Sequence, residues 1–234
     1  MAKEVIVSAN RVHNWKKLGK IIKLSLLILL LLLIIVFLVL KILYHDGSFV
    51  VTLESNENLK SGLIMYETLY DPTPKRILVA ENYQFMDNIS IKWLPNDLDK
   101  YEGQHNGDNY IAYSFYIENH GDRIINYWYK IIVDDVVKDV DEAIRVMLIV
   151  NDEKVVYAKG SSINNEPEAN TKKFRSDEDG TIILEPRYNS NPGDIDKITV
   201  VVWIEGDDPE CIDALIGGEM RMHMLITEEH QNKD

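Results

Sequence analysis

A long uncharged run near the start of the chain constrains this protein more than any other sequence feature. Residues 24–40 read LSLLILLLLLIIVFLVL, and Lys23 and Lys41 flank them. With the apolar neighbours on both sides, the run extends over residues 21–43. A helix needs about 20 apolar residues to cross a bilayer, and a buried core helix is rarely apolar on every face. The run therefore predicts a single transmembrane helix at residues 21–43.

The charges on the two sides of this run differ in sign. Residues 1–45 carry a net charge of +6, and because the whole chain sums to −13, residues 46–234 carry −19. Positive residues beside a span stay in the cytoplasm. The sequence thus predicts a basic cytoplasmic tail (1–20), a helix in the lipid bilayer (21–43) and an extracellular domain (44–234) of a cell-membrane protein.

A cleaved signal peptide is the alternative to a retained anchor. The apolar region of a signal peptide spans about 7–15 residues and ends at a small-residue cleavage site. Here the run is longer, and the residues after it, Lys41-Ile-Leu-Tyr-His-Asp-Gly47, contain no pair of small residues at the required spacing. We therefore favour a retained, single-pass anchor.

The composition of the outer domain excludes some classes of protein. Its length of about 190 residues is enough to bury a core without disulfides. Cys211 is the only cysteine, so no internal disulfide can form, and its apolar, helix-like surroundings predict a buried, inert thiol. The acidic charge and the lack of clustered Lys and Arg argue against nucleic acid as a partner. An acidic surface can instead keep the domain soluble, or it can bind Ca²⁺ or a basic partner.

Alternating apolar residues predict that this domain is mainly β. Residues 110–119 (YIAYSFYIEN) and 124–133 (IINYWYKIIV) both alternate with a period of two, and a short turn around Gly121 joins them. Such a pair predicts a β-hairpin. A second hairpin is predicted at residues 144–158, with its turn at 151–154.

Further strands and loops complete this prediction. Strands are predicted at residues 49–53, 63–66, 77–80, 181–184, 198–205 and 219–227. A polar surface loop is expected at 160–180 and a single helical turn at 139–143. Many turn-separated strands with few helices are typical of an antiparallel, jelly-roll-like β-sandwich with one or two short helices, and they argue against a parallel α/β sheet.

The segment after Trp203 carries the clearest helix signal of the domain. Asp208 suits an N-cap, Pro209 the first helical position and Gly217 a left-handed C-terminal cap. A helix of two turns is predicted between them. The methionines that follow on the last strand are interpreted as core residues and not as metal ligands.

Catalytic motifs are missing from the sequence, and only acidic clusters suggest a site. There is no G-x-S-x-G, P-loop, H-E-x-x-H or C-x-x-C pattern, and the six histidines lack metal-ligand spacing. The acidic cluster with Asp-x-Asp spacing offers oxygen ligands for Ca²⁺. It consists of Asp134, Asp135, Asp139, Asp141 and Glu142. Solvated loop charge or helix capping is the alternative role for these residues and for the second cluster, which consists of Glu205, Asp207, Asp208 and Glu210.

Two segments resemble a known family. The run Trp203-Ile-Glu-Gly-Asp-Asp-Pro-Glu-Cys-Ile-Asp-Ala-Leu-Ile-Gly-Gly-Glu-Met resembles a closing motif of exported β-sandwich proteins of Gram-positive bacteria, the TasA and camelysin group processed by the SipW signal peptidase. Residues 112–121 (AYSFYIENHG) are similar to an aromatic strand of those proteins. The resemblance covers roughly residues 108–227 and implies a role in surface fibres or biofilm matrix, where an N-terminal strand complements the next subunit. Members of that group are usually cleaved and secreted, whereas this chain is predicted to keep its span.

These observations predict a membrane-anchored β-sandwich protein of the cell surface with a structural, adhesive or matrix-related role. No catalytic residue, cofactor or enzymatic activity is predicted. Self-association or other surface proteins are the expected partners. A membrane-tethered module that binds or senses glycan or Ca²⁺ is the main alternative, and a hydrolase of unrecognised class is a third.

Overall fold

The computed structural model describes residues 20–38, 49–54, 62–81 and 85–228. The chain divides into two compact units, residues 1–46 and 47–234. In the first unit, helix α1 (Lys20–Leu38) is long and apolar enough to cross a membrane, a property that a signal sequence near the N-terminus shares. The described helix begins one residue before the predicted span, and residues 39–43 of the prediction lie outside the described residues.

The second unit consists of two β-sheets, as predicted. One sheet has five strands in the order β10-β6-β12-β1-β3; the other contains β2-β5-β11-β7-β8-β9, with β4 also paired to β5. The strands are β1 (Phe49–Glu54), β2 (Leu63–Tyr66), β3 (Ile77–Ala80), β4 (Gly103–Gln104), β5 (Tyr110–Asn119), β6 (Ile125–Val137), β7 (Ile144–Val150), β8 (Glu153–Ala158), β9 (Lys172–Lys173), β10 (Thr181–Ser190), β11 (Ile195–Ile204) and β12 (Glu219–Glu228).

The main core lies between the two sheets. Alternate residues of each strand point inward, so that Val51 and Met224 of the five-stranded sheet share one apolar cluster with Phe115 and Val200 of the other sheet. Met224 is fully buried, and the partly buried Met220 packs against this cluster, which confirms the interpretation of the methionines as core residues.

A second, smaller core covers the outer face of the sheet that contains β11. Ile89, Leu94 and Leu98 pack there against Trp203. They belong to a segment with two short 3-10 turns, Ile91–Trp93 and Leu98–Lys100. Two further 3-10 turns, Val140–Glu142 and Asp213–Leu215, complete the short helical elements of the described residues. The turn expected at 139–143 is therefore confirmed.

The hairpin predicted for residues 110–133 is wrong. β5 pairs with β2, β4 and β11, whereas β6 pairs with β10 and β12, so the connection between β5 and β6 crosses from one sheet to the other. The fully buried Asn119 holds this crossing: its side-chain Nδ2 donates to the carbonyl oxygens of Arg123 (2.9 Å) and Ser190 (2.8 Å). Period-two alternation identifies two strands but does not decide whether they pair with each other.

The hairpin predicted at 144–158 is confirmed. β7 and β8 pair in antiparallel fashion, with Val150 opposite Glu153. Asn151 and Asp152 form the connection with positive φ angles of 48° and 72°. Two consecutive residues with positive φ give the turn type whose twist matches two antiparallel strands.

The two-turn helix predicted after Trp203 does not form. The segment contains only the 3-10 turn Asp213–Leu215, which begins after Ile212 and not after Asp208. The Asp208 side chain lies at 5% exposure and pairs with Arg145. One part of the prediction holds, because Gly217 adopts the left-handed conformation (φ +72°).

β1 has an unusual place for the first strand of a domain. It lies inside the five-stranded sheet, antiparallel to β3 and parallel to β12, with Val51 opposite Met224. Most other pairs are antiparallel, and the short pair of β8 and β9 is also parallel. The first and last of the described strands are therefore direct neighbours.

Candidate functional site

The residues predicted as Ca²⁺ ligands lie around the end of β6 and the turn that follows it. Asp134 and Asp135 are on β6 itself, while Asp139 starts the 3-10 turn with a left-handed backbone (φ +52°). Asp141 and Glu142 lie on that turn. The two parts of the cluster therefore occupy different local structures.

Basic side chains engage four of these five carboxylates. His223 Nδ1 lies 2.9 Å from Asp134 Oδ2, and Arg221 Nη2 lies 2.7 Å from Asp135 Oδ2. Lys159 Nζ contacts both carboxylates of the turn, Asp141 Oδ2 at 2.8 Å and Glu142 Oε1 at 2.7 Å. Within the described residues, no group of three His, Cys, Asp or Glu side chains is arranged to hold a metal ion.

One member of the second acidic cluster, Asp208, pairs with a buried arginine. Arg145 on β7 has a side chain that is 2% exposed and pairs with Asp208 and, at 3.2 Å, with Glu168. Its Nη1 also donates to the carbonyl oxygens of Glu142 (3.1 Å) and Ile144 (3.0 Å). A buried guanidinium needs this many acceptors because removing it from water is costly.

The other three acids of this cluster bind neighbouring segments. Glu205 Oε2 accepts hydrogen bonds from the Trp203 indole (2.9 Å) and from the Ile91 amide (3.0 Å). The remaining two accept hydroxyl or amide hydrogens from serines: Asp207 from Ser90 Oγ (2.7 Å) and Glu210 from Ser162 N (2.8 Å). The cluster therefore attaches residues 90–91 and the loop after β8 to the end of β11.

Hydrogen bonds lower the pKa of two of these carboxylates, Asp207 and Glu210. The bonds from Ser90 and Lys92 lower the pKa of Asp207. The bonds from Ser162 lower the pKa of Glu210, although some burial opposes this effect. These acids act as fixed anions that hold loops, a structural role that their spacing in the sequence does not reveal.

Hydrogen bonds between tyrosines and glutamates form a third set of polar contacts. The sequence did not predict them. Tyr113 donates to Glu67 (2.5 Å), Tyr116 to Glu102 (2.7 Å) and Tyr66 to Glu118 (3.1 Å). Burial and the bond to Glu118 raise the pKa of Tyr66 to about 12. These tyrosines therefore remain protonated donors at neutral pH.

The histidines and the cysteine lie in separate environments. His105 stacks on Tyr101 at 5.3 Å between ring centroids, and His120 Nδ1 lies 2.9 Å from a carboxylate oxygen of Glu118. Cys211 is half-buried, and its sulfur accepts a hydrogen bond from Asn88 Nδ2 at 3.2 Å. The expectation of a fully buried thiol in a helix is wrong because the helix is absent.

A small cleft lies beside the loop after β9. Phe174, Arg175, Asp177 and Met220 line part of it, and its volume is about 190 Å³. Arg175 Nε is bound to Asp177 Oδ2 at 2.8 Å, so both charges face each other. Typical small-molecule pockets are about 300–1,000 Å³, which makes this cleft small for a glycan.

Exposed apolar side chains mark two candidate interaction surfaces, one on each sheet. On β3, Ile77 is 57% and Val79 49% exposed, and on the turn Ile91–Trp93 the indole of Trp93 is 74% exposed. The letters ILVA at 77–80 read as a buried strand, so the sequence gives no signal that every second side chain faces solvent.

No family model and no curated protein matches this chain.

Proposed function

We propose that this chain is a single-pass protein of the cell membrane, with a cytoplasmic N-terminal tail and an extracellular β-sandwich that has a structural or adhesive role. The long apolar helix Lys20–Leu38 supports the anchor. The +6 charge of residues 1–45 against −19 for the remainder supports the orientation. The resemblance of residues 203–220 to the closing motif of TasA and camelysin proteins also favours a surface role.

The position of β1 is the observation that carries the structural part of the proposal. Residues 39–48 lie between the described part of α1 and β1 in the sequence. β1 is hydrogen-bonded to β12 on one side and to β3 on the other. The chain that follows the anchor therefore enters the domain at a strand with hydrogen-bonded neighbours on both sides, and not at an edge strand.

This geometry resists a pull away from the membrane. β1 and β12 run parallel, so a force between the anchor side of β1 and the far end of β12 acts along both strands. The backbone hydrogen bonds between them then carry the load together, because none can open before its neighbours slide. A surface domain that bears load between its anchor and its contacts needs this property.

Force spectroscopy on the full chain tests the proposal. With handles on the N-terminal tail and at residue 234, we expect the sandwich to resist until it opens in one event. Thr52→Pro should lower the opening force, because the Thr52 N–H points to β12 and proline has no N–H to donate. Thr52→Ala is the matched control and should leave the force near that of the wild type. Early release of β1 at low force in the wild-type chain would contradict the proposal.

Cells that display the full chain provide the corresponding functional measurement. Their attachment to a surface or to neighbouring cells should exceed that of cells that display Thr52→Pro at equal surface density. If cells that lack the chain attach as well as cells that display it, the proposed adhesive role is wrong.

Glycan binding is a second candidate function, and the exposure of Trp93 favours it. Trp93 is 74% exposed. Phe85, which precedes it in the segment that packs on the sheet containing β11, is 69% exposed. Exposed aromatic rings offer flat apolar faces for sugar rings. Titration of the full chain with soluble polysaccharides, with Trp fluorescence as the readout, tests this candidate. A signal that persists in Trp93→Ala would exclude Trp93 as the platform.

A further inference from the structure

We propose that the end of the sandwich at which β1 begins docks onto a zwitterionic lipid surface. Ile163, Ile212 and Ile216, which lie on two loops at this end, would enter the layer of lipid headgroups. The inference deepens the proposed function and rests on it for the membrane anchor.

The strand order places both loops at the end where β1 begins. β1 and β12 are parallel, with Val50 opposite His223, so the two strands begin close together. Residues 205–218 connect the end of β11 to the start of β12 and therefore lie there. β8 also ends there, because its last residue pairs with Arg145 near the start of β7, and β7 begins beside the end of β11. Residues 159–171, which follow β8, leave the sandwich at the same end.

Three isoleucines of these two loops face the solvent. Ile163 is 92% exposed, Ile216 68% and Ile212 57%. Apolar side chains gain free energy when they leave water, in proportion to the area that is buried. A contact at this end would supply the burial that the fold itself does not give these side chains.

Hydrogen bonds fix the two loops to each other and to the sandwich. The Ser162 amide, next to Ile163, donates to Glu210 Oε1 at 2.8 Å. Lys138 Nζ, which follows β6, donates to the carbonyl oxygen of Ile216 at 2.6 Å. The isoleucines are therefore presented on a supported surface.

An exposed tryptophan lies at the same end. Lys92 Nζ contacts Asp207 Oδ2 of the loop after β11 at 3.2 Å, and the adjacent Trp93 is 74% exposed. Tryptophan is enriched where hydrocarbon meets water, with its ring at the level of the headgroups. An apolar tip with a tryptophan beside it therefore fits a bilayer surface.

The short connection to the anchor identifies the bilayer as the occupant. The predicted span ends at Leu43 and β1 begins at Phe49, so residues 44–48 connect them. An extended chain covers at most about 3.6 Å per residue, which limits this connection to about 18 Å. β12 begins four residues before His223, so the loops extend roughly 10 Å beyond the start of β1. In the anchored chain, this end therefore stays close to the lipid headgroups.

Acidic residues around the isoleucines indicate an apolar contact and not an electrostatic one. Asp213 and Glu219 are exposed, and the Asp207 side chain is 60% exposed. Anionic headgroups would repel these carboxylates, whereas phosphatidylcholine carries no net charge. We therefore expect docking on phosphatidylcholine that added phosphatidylglycerol weakens.

Fluorescence quenching on the full chain in phosphatidylcholine vesicles tests the inference. Cys211→Ser first removes the native thiol and keeps an acceptor for the Asn88 side chain. Ile163→Cys then carries a fluorophore, and phosphatidylcholine with a nitroxide high on its acyl chain is the quencher, because interfacial side chains reach about 5–10 Å into the bilayer. We expect several-fold stronger quenching than for Ile124→Cys. Ile124 is a matched control because it is 59% exposed and precedes β6, whose other end pairs with the start of β12.

Substitution of the other two isoleucines separates docking by the protein from insertion of the fluorophore alone. Ile212→Asp combined with Ile216→Asp should reduce the quenching at position 163 several-fold. Ile124→Asp combined with Ile195→Asp is the control at the opposite end and should leave it unchanged. About 1 M salt, which reduces the Debye length to about 3 Å, should not weaken the quenching of the starting chain.

Vesicle flotation reports the anchor separately from the docking. A chain that floats with the vesicles but is quenched equally at positions 163 and 124 overturns the docking and leaves the anchor standing. A chain that does not float overturns the anchor and the docking together. Shielding of the fluorophore that grows with protein density, without quenching by the lipid, would assign this end to a second copy and also overturn the inference.

Discussion

Arg145 and Asp208 form a buried ion pair, with side chains that are 2% and 5% exposed. They lie 63 residues apart in the sequence, one on β7 and the other in the loop after β11. The pair therefore fixes a long irregular loop to the sheet. It also explains why Asp208 does not cap a helix, because its carboxylate binds the guanidinium of Arg145.

Breaking this pair should destabilise the sandwich strongly. Asp208→Ala leaves the charge of Arg145 buried with weaker compensation, which typically costs about 3–5 kcal/mol. The loss of an N-cap would cost about 0.5–2 kcal/mol. Urea unfolding of the detergent-solubilised chain, followed by Trp fluorescence, measures the difference. Asp207→Ala is the control, because that side chain is 60% exposed and its ion pair contributes little. Equal effects of the two substitutions would contradict the structural role of the pair.

Gly217 should tolerate only residues that accept a left-handed backbone. Its φ is +72°, and a β-branched residue is strongly disfavoured there. We expect Gly217→Val to lower the free energy of unfolding by about 1–2 kcal/mol more than Gly217→Asn, since asparagine visits this conformation readily. The same urea titration provides the measurement. Identical stabilities would show that the turn rearranges freely.

Acid should weaken the contact of Glu67 with Tyr113. Burial raises the pKa of Glu67, but hydrogen bonds from Lys75 and Tyr113 outweigh it, so the pKa lies below its ordinary value of 4.5. Because the unfolded chain binds this proton more readily, the contribution to stability is complete above pH 4.5 and is lost as pH falls toward the folded pKa. Tyr113→Phe should therefore show a shallower fall of melting temperature with acid. A fall as steep as that of the wild type would contradict this assignment.

Protease added to intact cells should remove epitopes after residue 46 and spare the tail. The reason is the positive charge on residues 1–45, which in the proposed orientation lies on the cytoplasmic side. N-terminal sequencing of the membrane-bound form should find residues before Leu24. A C-terminus protected from protease would reverse the orientation, and a mature start near Gly47 would identify a cleaved signal peptide.

Millimolar Ca²⁺ should leave the melting temperature of the chain nearly unchanged. A ligand stabilises a protein only as far as it binds the folded state more tightly, and Asp134 and Asp135 already pair with His223 and Arg221. A large rise in melting temperature that Asp134→Asn abolishes would instead establish the cluster as a Ca²⁺ site.

The sequence predicts most strands of this fold because each has a local signature. Alternating burial appears within single strands, as in β6, where Ile125, Tyr127, Tyr129 and Ile131 are buried and the residues between them are half-buried. Which strands become neighbours is a different question. The crossing at Asn119 depends on bonds to Ser190, 71 residues away, and no local pattern reports such a contact.

The candidate surfaces were less predictable than the strands for the same reason. Asp208 has the local features of a helix cap, but a distant arginine determines its role. Ile77 and Val79 have the composition of a buried strand, yet β3 is the last strand of its sheet. Exposure and ion pairing depend on neighbours that only the complete fold supplies.

The parallel pairing of β1 with β12 also determines the order in which the domain can be completed during synthesis. Glu54 and Thr227, which are joined by a side-chain hydrogen bond, lie 173 residues apart. At about 5–20 residues per second, a ribosome needs roughly 10–35 s to make the chain between them. Throughout that interval β1 lacks its parallel neighbour, so the five-stranded sheet closes only after β12 has been synthesised.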